Sequence, residues 1–189
     1  MLLLFPASCS FDYGSQEGSD KSLPDIIMED VDYVRVRSAD LQARFQAERA
    51  ERYEERRIMQ LWNFSFEQYG NQGDDVNAYG RAGSALVEID SGDISLGDGV
   101  RIEVESEDII LETKQLEWKD EARTLSGGDE DEVIVNQSDG TSFTGIGFSA
   151  DARRRKWEFT SGASGTYIHE DDKASDDGES EAAGETEGL

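Results

Sequence analysis

One feature limits the fold of this chain more than any other: strand-like segments whose inward parity flips midway, and that do so repeatedly. In "LETKQLEWKDEARTLSG", Leu111 and Thr113 share one parity, and Leu116 and Trp118 share the other. In "FTGIGFSADARRRKWEFTSG", Phe143 and Gly145 are followed by Phe148 in the same way. Side chains alternate across a strand with period two, so parity changes only at a bulge or where a strand passes from one sheet to another.

The break belongs to a repeat. Leu111 and Phe143 stand 32 residues apart, as do Leu116 and Phe148, and Leu125 and Trp157. One copy upstream the interval is 31, from Ala82 to Thr113, Ala85 to Leu116, Val87 to Trp118 and Ile94 to Leu125. "YGRAGSALVEIDSGDISLG" is therefore a third copy, and "LQARFQAERAERYEERRIMQLWNFSF" a longer first one. A recurring unit of this kind points to stacked supersecondary elements. The breaks fall near 83–84, 114–115 and 146–147, with Gly83, Gly145 and Gly147 beside them. Glycine suits a sharp bend because it has no Cβ to clash. Each long strand is expected to bend so that its halves belong to two facing walls, closed along one side and open at the ends.

"VRIEVES" alternates cleanly, and "DSGD", "GDG" and "SDG" supply turns between strands. Residues 43–58 are rich in Ala, Glu and Arg at helical spacings, yet they also alternate with period two. Periodicity leaves helix and strand open there. The expected inner face carries Leu41, Phe45, Phe64, Phe66, Val87, Ile102, Val104, Leu111, Leu116, Trp118, Val133, Val135, Phe143, Phe148 and Trp157. Those residues alone allow either a filled sandwich core or an apolar groove.

The ends differ from the body. Residues 1–9, "MLLLFPASC", read as the remnant of a lipoprotein signal, with Cys9 as the lipidated residue. No run approaches the ~20 apolar residues that span a bilayer. Residues 10–27 form an expected flexible tether, 28–168 the folded body, and 169–189 an acidic tail expected to be disordered.

Charge removes several function classes. With 18 Lys and Arg against 43 Asp and Glu, the net charge is −25, which repels nucleic acid. The acidic clusters at Asp129–Glu132 and Asp171–Asp172 lack EF-hand spacing, so no metal site is expected. His169 is the sole histidine, which leaves nucleophile–His and zinc chemistry without support. Among so many carboxylates no pair stands out for hydrolysis, and neither an enzyme nor a cofactor is expected. The basic run "ARRRKW" is either a charged turn or a contact for lipid phosphates, and Arg49, Arg52, Arg56 and Arg57 form a second such group.

The ordered motifs over about 28–168 resemble the lipopolysaccharide-transport protein C family, with its OstA-type repeat. "LETKQLEWKDEARTLSG", followed by "VIV" and "DGTSFTGIGFSAD", is the most specific stretch. The resemblance implies a bent antiparallel β-jellyroll, with strands over 43–58, whose apolar interior holds the acyl chains of lipopolysaccharide or a related glycolipid. It implies edge-strand addition to the next periplasmic bridge jellyroll and contact with the permease of an inner-membrane ABC transporter. Family members commonly carry an N-terminal transmembrane helix. A lipid on Cys9, or a segment upstream, is the expected substitute that keeps the protein on the periplasmic side of the inner membrane. The alternative is a structural interaction lipoprotein with a filled β-sandwich core and no lipid cargo.

Overall fold

A computed structural model describes residues 22–168, save 71, 72 and 74. Cys9, most of the expected tether and the acidic tail lie outside the described residues. Eleven strands run in chain order: β1 Ile26–Arg37, β2 Asp40–Tyr53, β3 Ile58–Tyr69, β4 Val76–Glu88, β5 Ile94–Val104 and β6 Ile109–Thr113, then β7 Leu116–Lys119, β8 Thr124–Gly127, β9 Glu132–Gln137, β10 Ser142–Asp151 and β11 Lys156–Thr166. Among the described residues there is no α-helix, and the 3₁₀ turn Glu105–Glu107 links β5 to β6.

All the strands join one antiparallel sheet. From β5 onward the ladder divides. The second half of β5 pairs with β6, β6 with β9, and β9 with the first half of β10. The first half of β5 pairs with β7, β7 with β8, and β8 with the second half of β10. β6–β7 and β8–β9 are thus each a single bent strand broken at the crease. The molecule is an antiparallel meander folded along its midline, so one sheet supplies both walls.

The crease lies where parity flips. Register shifts occur between Ala82 and Ser84 in β4 and between Thr144 and Ile146 in β10, and β6 ends just before residues 114–115. These are the three breaks expected from the repeat. The fold extends them upstream, where Asp30 in β1 and Asn63 in β3 adopt φ of 50°. Short polar side chains tolerate that left-handed conformation better than most. Gly147 turns the same corner in β10 with φ of 68°. Gly83 serves by closeness instead, since a Cβ there would lie 2.7 Å from Asp98 Cβ.

Residues 43–58 form strands and a turn, as the resemblance implies. β2 alternates about the crease, with Phe45 and Ala47 inward on one wall and Ala50 inward on the other. Arg44 and Arg49, among its helix-forming residues, face outward in cross-strand ion pairs, with Asp32 and Glu29 respectively. Packing of the apolar face overrides local helix propensity here. β1 takes in Ile26 and Ile27, assigned above to the tether, because β2 offers Arg52 and Glu51 as register partners.

The core lies between the walls. Ala50, Val133, Val135, Leu116 and Ala85 are each at most 2 % exposed. Small residues concentrate in the first half, where Ala47, Ala50, Ala82 and Ala85 let the aromatic side chains of β2 and β3 lie flat.

Candidate functional site

The inner face of the sheet is a continuous apolar row. In successive register, Tyr33 opposes Phe45, Phe45 opposes Phe66, and Phe66 opposes Gly80. The row continues through Ile102, Leu111, Val135 and Phe143. On the opposing wall, Met28, Ala50, Leu61, Ala85, Leu96 and Leu116 form the equivalent row. Gly80 is required by this packing, since a Cβ there would lie 2.5 Å from the Phe66 ring.

Aromatic side chains gather at the two ends of the row. At the β1 end, Tyr33, Phe45, Phe64 and Phe66 form a chain with ring centroids 6.1–6.2 Å apart. At the β11 end, Phe143, Phe148, Trp157 and Phe159 form a cluster at 5.5–6.5 Å. Phe143 lies on one wall and Trp157 on the other, so this cluster joins the walls. Between the two groups the interior is aliphatic and closed. At the first end it opens, and Tyr33 is 57 % exposed.

The fifteen expected interior residues divide three ways. Phe64, Ile102, Leu111, Leu116, Val133, Val135 and Phe148 are buried in the core cluster. Phe45, Phe66, Val87, Val104, Phe143 and Trp157 are partly buried and pack against it. Leu41 and Trp118 are half-buried and stand apart from the cluster. Leu41 sits at the start of β2 beside Gly73. Trp118 lies at the far end of β7, where the Arg123 guanidinium stacks over its ring at 4.8 Å and its indole N–H donates to Asp120. Sequence reasoning missed Met28, Val31, Leu61, Leu96, Val100 and Phe159. Carrying the parity flip one copy further back, to Asp30 and Asn63, would have found the first three.

Charge is kept to the outside, except for Arg52 at the rim. Arg101 pairs with Glu112 across β5 and β6, and Arg57 with Asp90 at 2.6 Å. The hydrogen bond from Arg44 holds the Asp32 carboxyl below its ordinary value, and Arg57 does the same for Asp90. Arg52 takes an inner register position beside Met59, and its guanidinium meets Glu54 at 2.8 Å at the rim. A trough of about 730 Å³ lies on the polar outer face, lined by residues including Arg44, Glu67, Tyr79, Arg81 and Glu103. Among the described residues, no group of three or more His, Cys, Asp or Glu side chains is placed to hold a metal ion, and no helix is long and apolar enough to cross a membrane.

Among the described residues, β1 pairs only with β2 and β11 only with β10, which leaves each outermost strand with an edge that no described strand covers. Unpaired edges are ready templates for another strand.

A single creased sheet, apolar within, charged without and with both edges uncovered by any described strand, is a bent β-jellyroll. The chain belongs to the lipopolysaccharide-assembly, LptC-related family, whose model matches residues 2–168. This is the family its motifs resemble. The fold is similar to the crystal structure of LptH, the LptA-homologous periplasmic component of the lipopolysaccharide transport device of Pseudomonas aeruginosa. That match has a TM-score of 0.50 and 14 % identity, and it covers 67 % of this chain and 95 % of LptH. No curated protein matches the chain.

Proposed function

We propose that this protein is a non-enzymatic conduit that carries lipopolysaccharide or a related glycolipid with its acyl chains held between the two walls. The observation that carries the reading is the apolar inner row, which runs from Tyr33 to Phe143 without a charged residue. An acyl chain in water loses roughly 25 cal/mol for each Å² of exposed apolar surface. A lining of this kind removes that cost without any chemistry. The free edges of β1 and β11 suit strand addition, one to the next periplasmic jellyroll and one to the permease of an inner-membrane ABC transporter. A lipid on Cys9, or a segment upstream, would hold the protein at the inner membrane. A single lipid chain binds only marginally, so stable anchoring requires a second attachment.

The near-complete burial of Leu116, Val133 and Val135 favours a second reading, a scaffold whose core is filled and takes no lipid. Photo-crosslinking in cells separates the two. Probes replace Phe45 and Leu111 on the inner face, and Gln46 and Glu112 on the outer. Lipid adducts at the inner pair alone are expected of a conduit. Adducts at neither pair, in a folded and expressed protein, leave the scaffold.

A further inference from the structure

We infer that the β10–β11 turn is a phosphate-binding rim, which holds the anionic headgroup of an amphiphile whose chain enters the aromatic cluster beneath it. The inference rests on the reading of the interior as a lipid groove.

The turn carries Arg153, Arg154, Arg155 and Lys156 in succession, within a chain of net charge −25. Its shape is fixed. The Asp151 carboxylate accepts the backbone N–H groups of Arg153 and Arg154 at 2.9 and 3.0 Å. The Ala152 N–H donates to the carbonyl of Arg123 at 3.0 Å, which ties the turn to its neighbour. Arg155 holds φ of 52°, a left-handed conformation that non-glycine residues seldom adopt. The adjacent β7–β8 turn places Arg123, and the β2–β3 turn farther along the same rim places Arg57, in the same conformation.

The rim turns differ in how their charge is met. Arg57 is paired with Asp90 at 2.6 Å, and Arg123 is stacked on Trp118. The guanidinium of Arg153 donates to a neutral acceptor, the Glu121 carbonyl. Arg154 and Arg155 meet carboxylates only at 3.6 and 3.7 Å, with their side chains 81 and 79 % exposed. Lys156 meets Glu158 at 2.8 Å and is 68 % exposed. A phosphate offers three acceptor oxygens to donors of this kind and forms charge-assisted bonds with them.

Position gives the rim its meaning. Arg155 reaches Glu107 on the β5–β6 connection, so the turn spans the gap between the free ends of the two walls. The next residue after the cations is Trp157, whose ring packs inward against Phe143, Phe148 and Phe159. Cations on the rim and aromatic rings just inside it form the pairing that recognises a phosphorylated amphiphile.

The test is calorimetric titration of the full chain with dodecyl phosphate, dodecyl maltoside and inorganic phosphate, each amphiphile below its micelle-forming concentration. Dodecyl phosphate is expected to bind about ten-fold tighter than dodecyl maltoside, a ratio set by three exposed charge contacts. The R154Q/R155Q/K156Q variant should bring the two amphiphiles to parity, with its urea midpoint unchanged because all three side chains are exposed. High salt should do the same to the native chain. Equal binding of both amphiphiles by the native chain overturns the rim alone. An equal loss of both in the variant also overturns it. Inorganic phosphate bound as tightly as dodecyl phosphate refutes the link to the aromatic cluster. Binding of neither amphiphile overturns the groove reading, and the rim with it.

Discussion

Gly147→Ala is the sharpest test of the crease. Gly147 sits where β10 changes parity, with φ of 68°. Two costs follow from its surroundings. A residue with a Cβ in the left-handed region loses about 1–2 kcal/mol. The added methyl would also overlap the hydroxyl of Thr160 on β11, with Thr160 Cβ only 3.2 Å away. Overpacking of this sort costs about 1–3 kcal/mol. The expected total is about 2–5 kcal/mol, read as a lower urea midpoint with an unchanged slope. Thr160→Ala separates the two terms. Thr160 is exposed, so its substitution alone should stay within about 0.5 kcal/mol of the native chain. In G147A/T160A the overlap disappears and the backbone cost stays, leaving about 1–2 kcal/mol. A neutral G147A would mean that the crease does not depend on a left-handed residue there. A double variant as unstable as G147A alone would refute the steric half.

Leu116→Ala, at a site 2 % exposed just past the crease, should cost about 2–5 kcal/mol by chemical denaturation, the range for a buried leucine. Thr141→Val removes the hydroxyl that accepts the Ile168 N–H at 3.3 Å at a fully buried position, so it should cost about 1–2 kcal/mol in the same assay. Thermal stability should hold or rise as pH falls from neutrality towards about 5, because protonation eases the repulsion of a net charge of −25. It should fall below about pH 4. The carboxyls of Asp32, Asp90 and Asp93 are held below their ordinary value of 3.8 by Arg44, by Arg57, and by the Asp120 N–H with Lys119 respectively. Their contribution is complete above the unfolded value and is lost as pH drops through the depressed folded values. D32N/D90N should make that acid limb shallower in a melting series, and an unchanged limb would refute the assignment.

The fold was legible because a parity flip is a geometric statement about a strand. Leu111 and Leu116 cannot both face inward on one flat strand, and the 31- and 32-residue intervals carried that argument through three copies. Legibility failed where the corner is turned by something other than glycine. Asp30 and Asn63 bend β1 and β3 as Gly147 bends β10, but polar residues in a charged chain give no such signal. Leu41 and Trp118 had the right parity and missed the core for another reason. Both sit near strand ends, where the walls diverge. Parity fixes the face a residue takes, and its place along the strand bears on how deeply it is buried.

That dependence on position bears on function. Side chains near the crease, such as Leu116 and Val133, are held from both walls and are almost fully buried. Side chains near the outermost strands have fewer neighbours, and there the lining turns aromatic: Tyr33 and Phe45 at one end, Trp157 and Phe159 at the other. Aromatic rings offer large apolar area at low cost in side-chain freedom, which suits a surface that must stay dry with or without a guest. The two ends are not equivalent. At the β1 end Arg44 and Arg49 face outward and are held by Asp32, Glu29 and Glu51 at 2.5–2.7 Å, while Arg35, two residues beyond Tyr33, is exposed. At the β11 end the guanidinium groups of Arg154 and Arg155 meet carboxylates no closer than 3.6 Å. In the conduit proposed above, the apolar interior is shared from end to end, and the β11 rim adds the exposed guanidinium groups of Arg154 and Arg155.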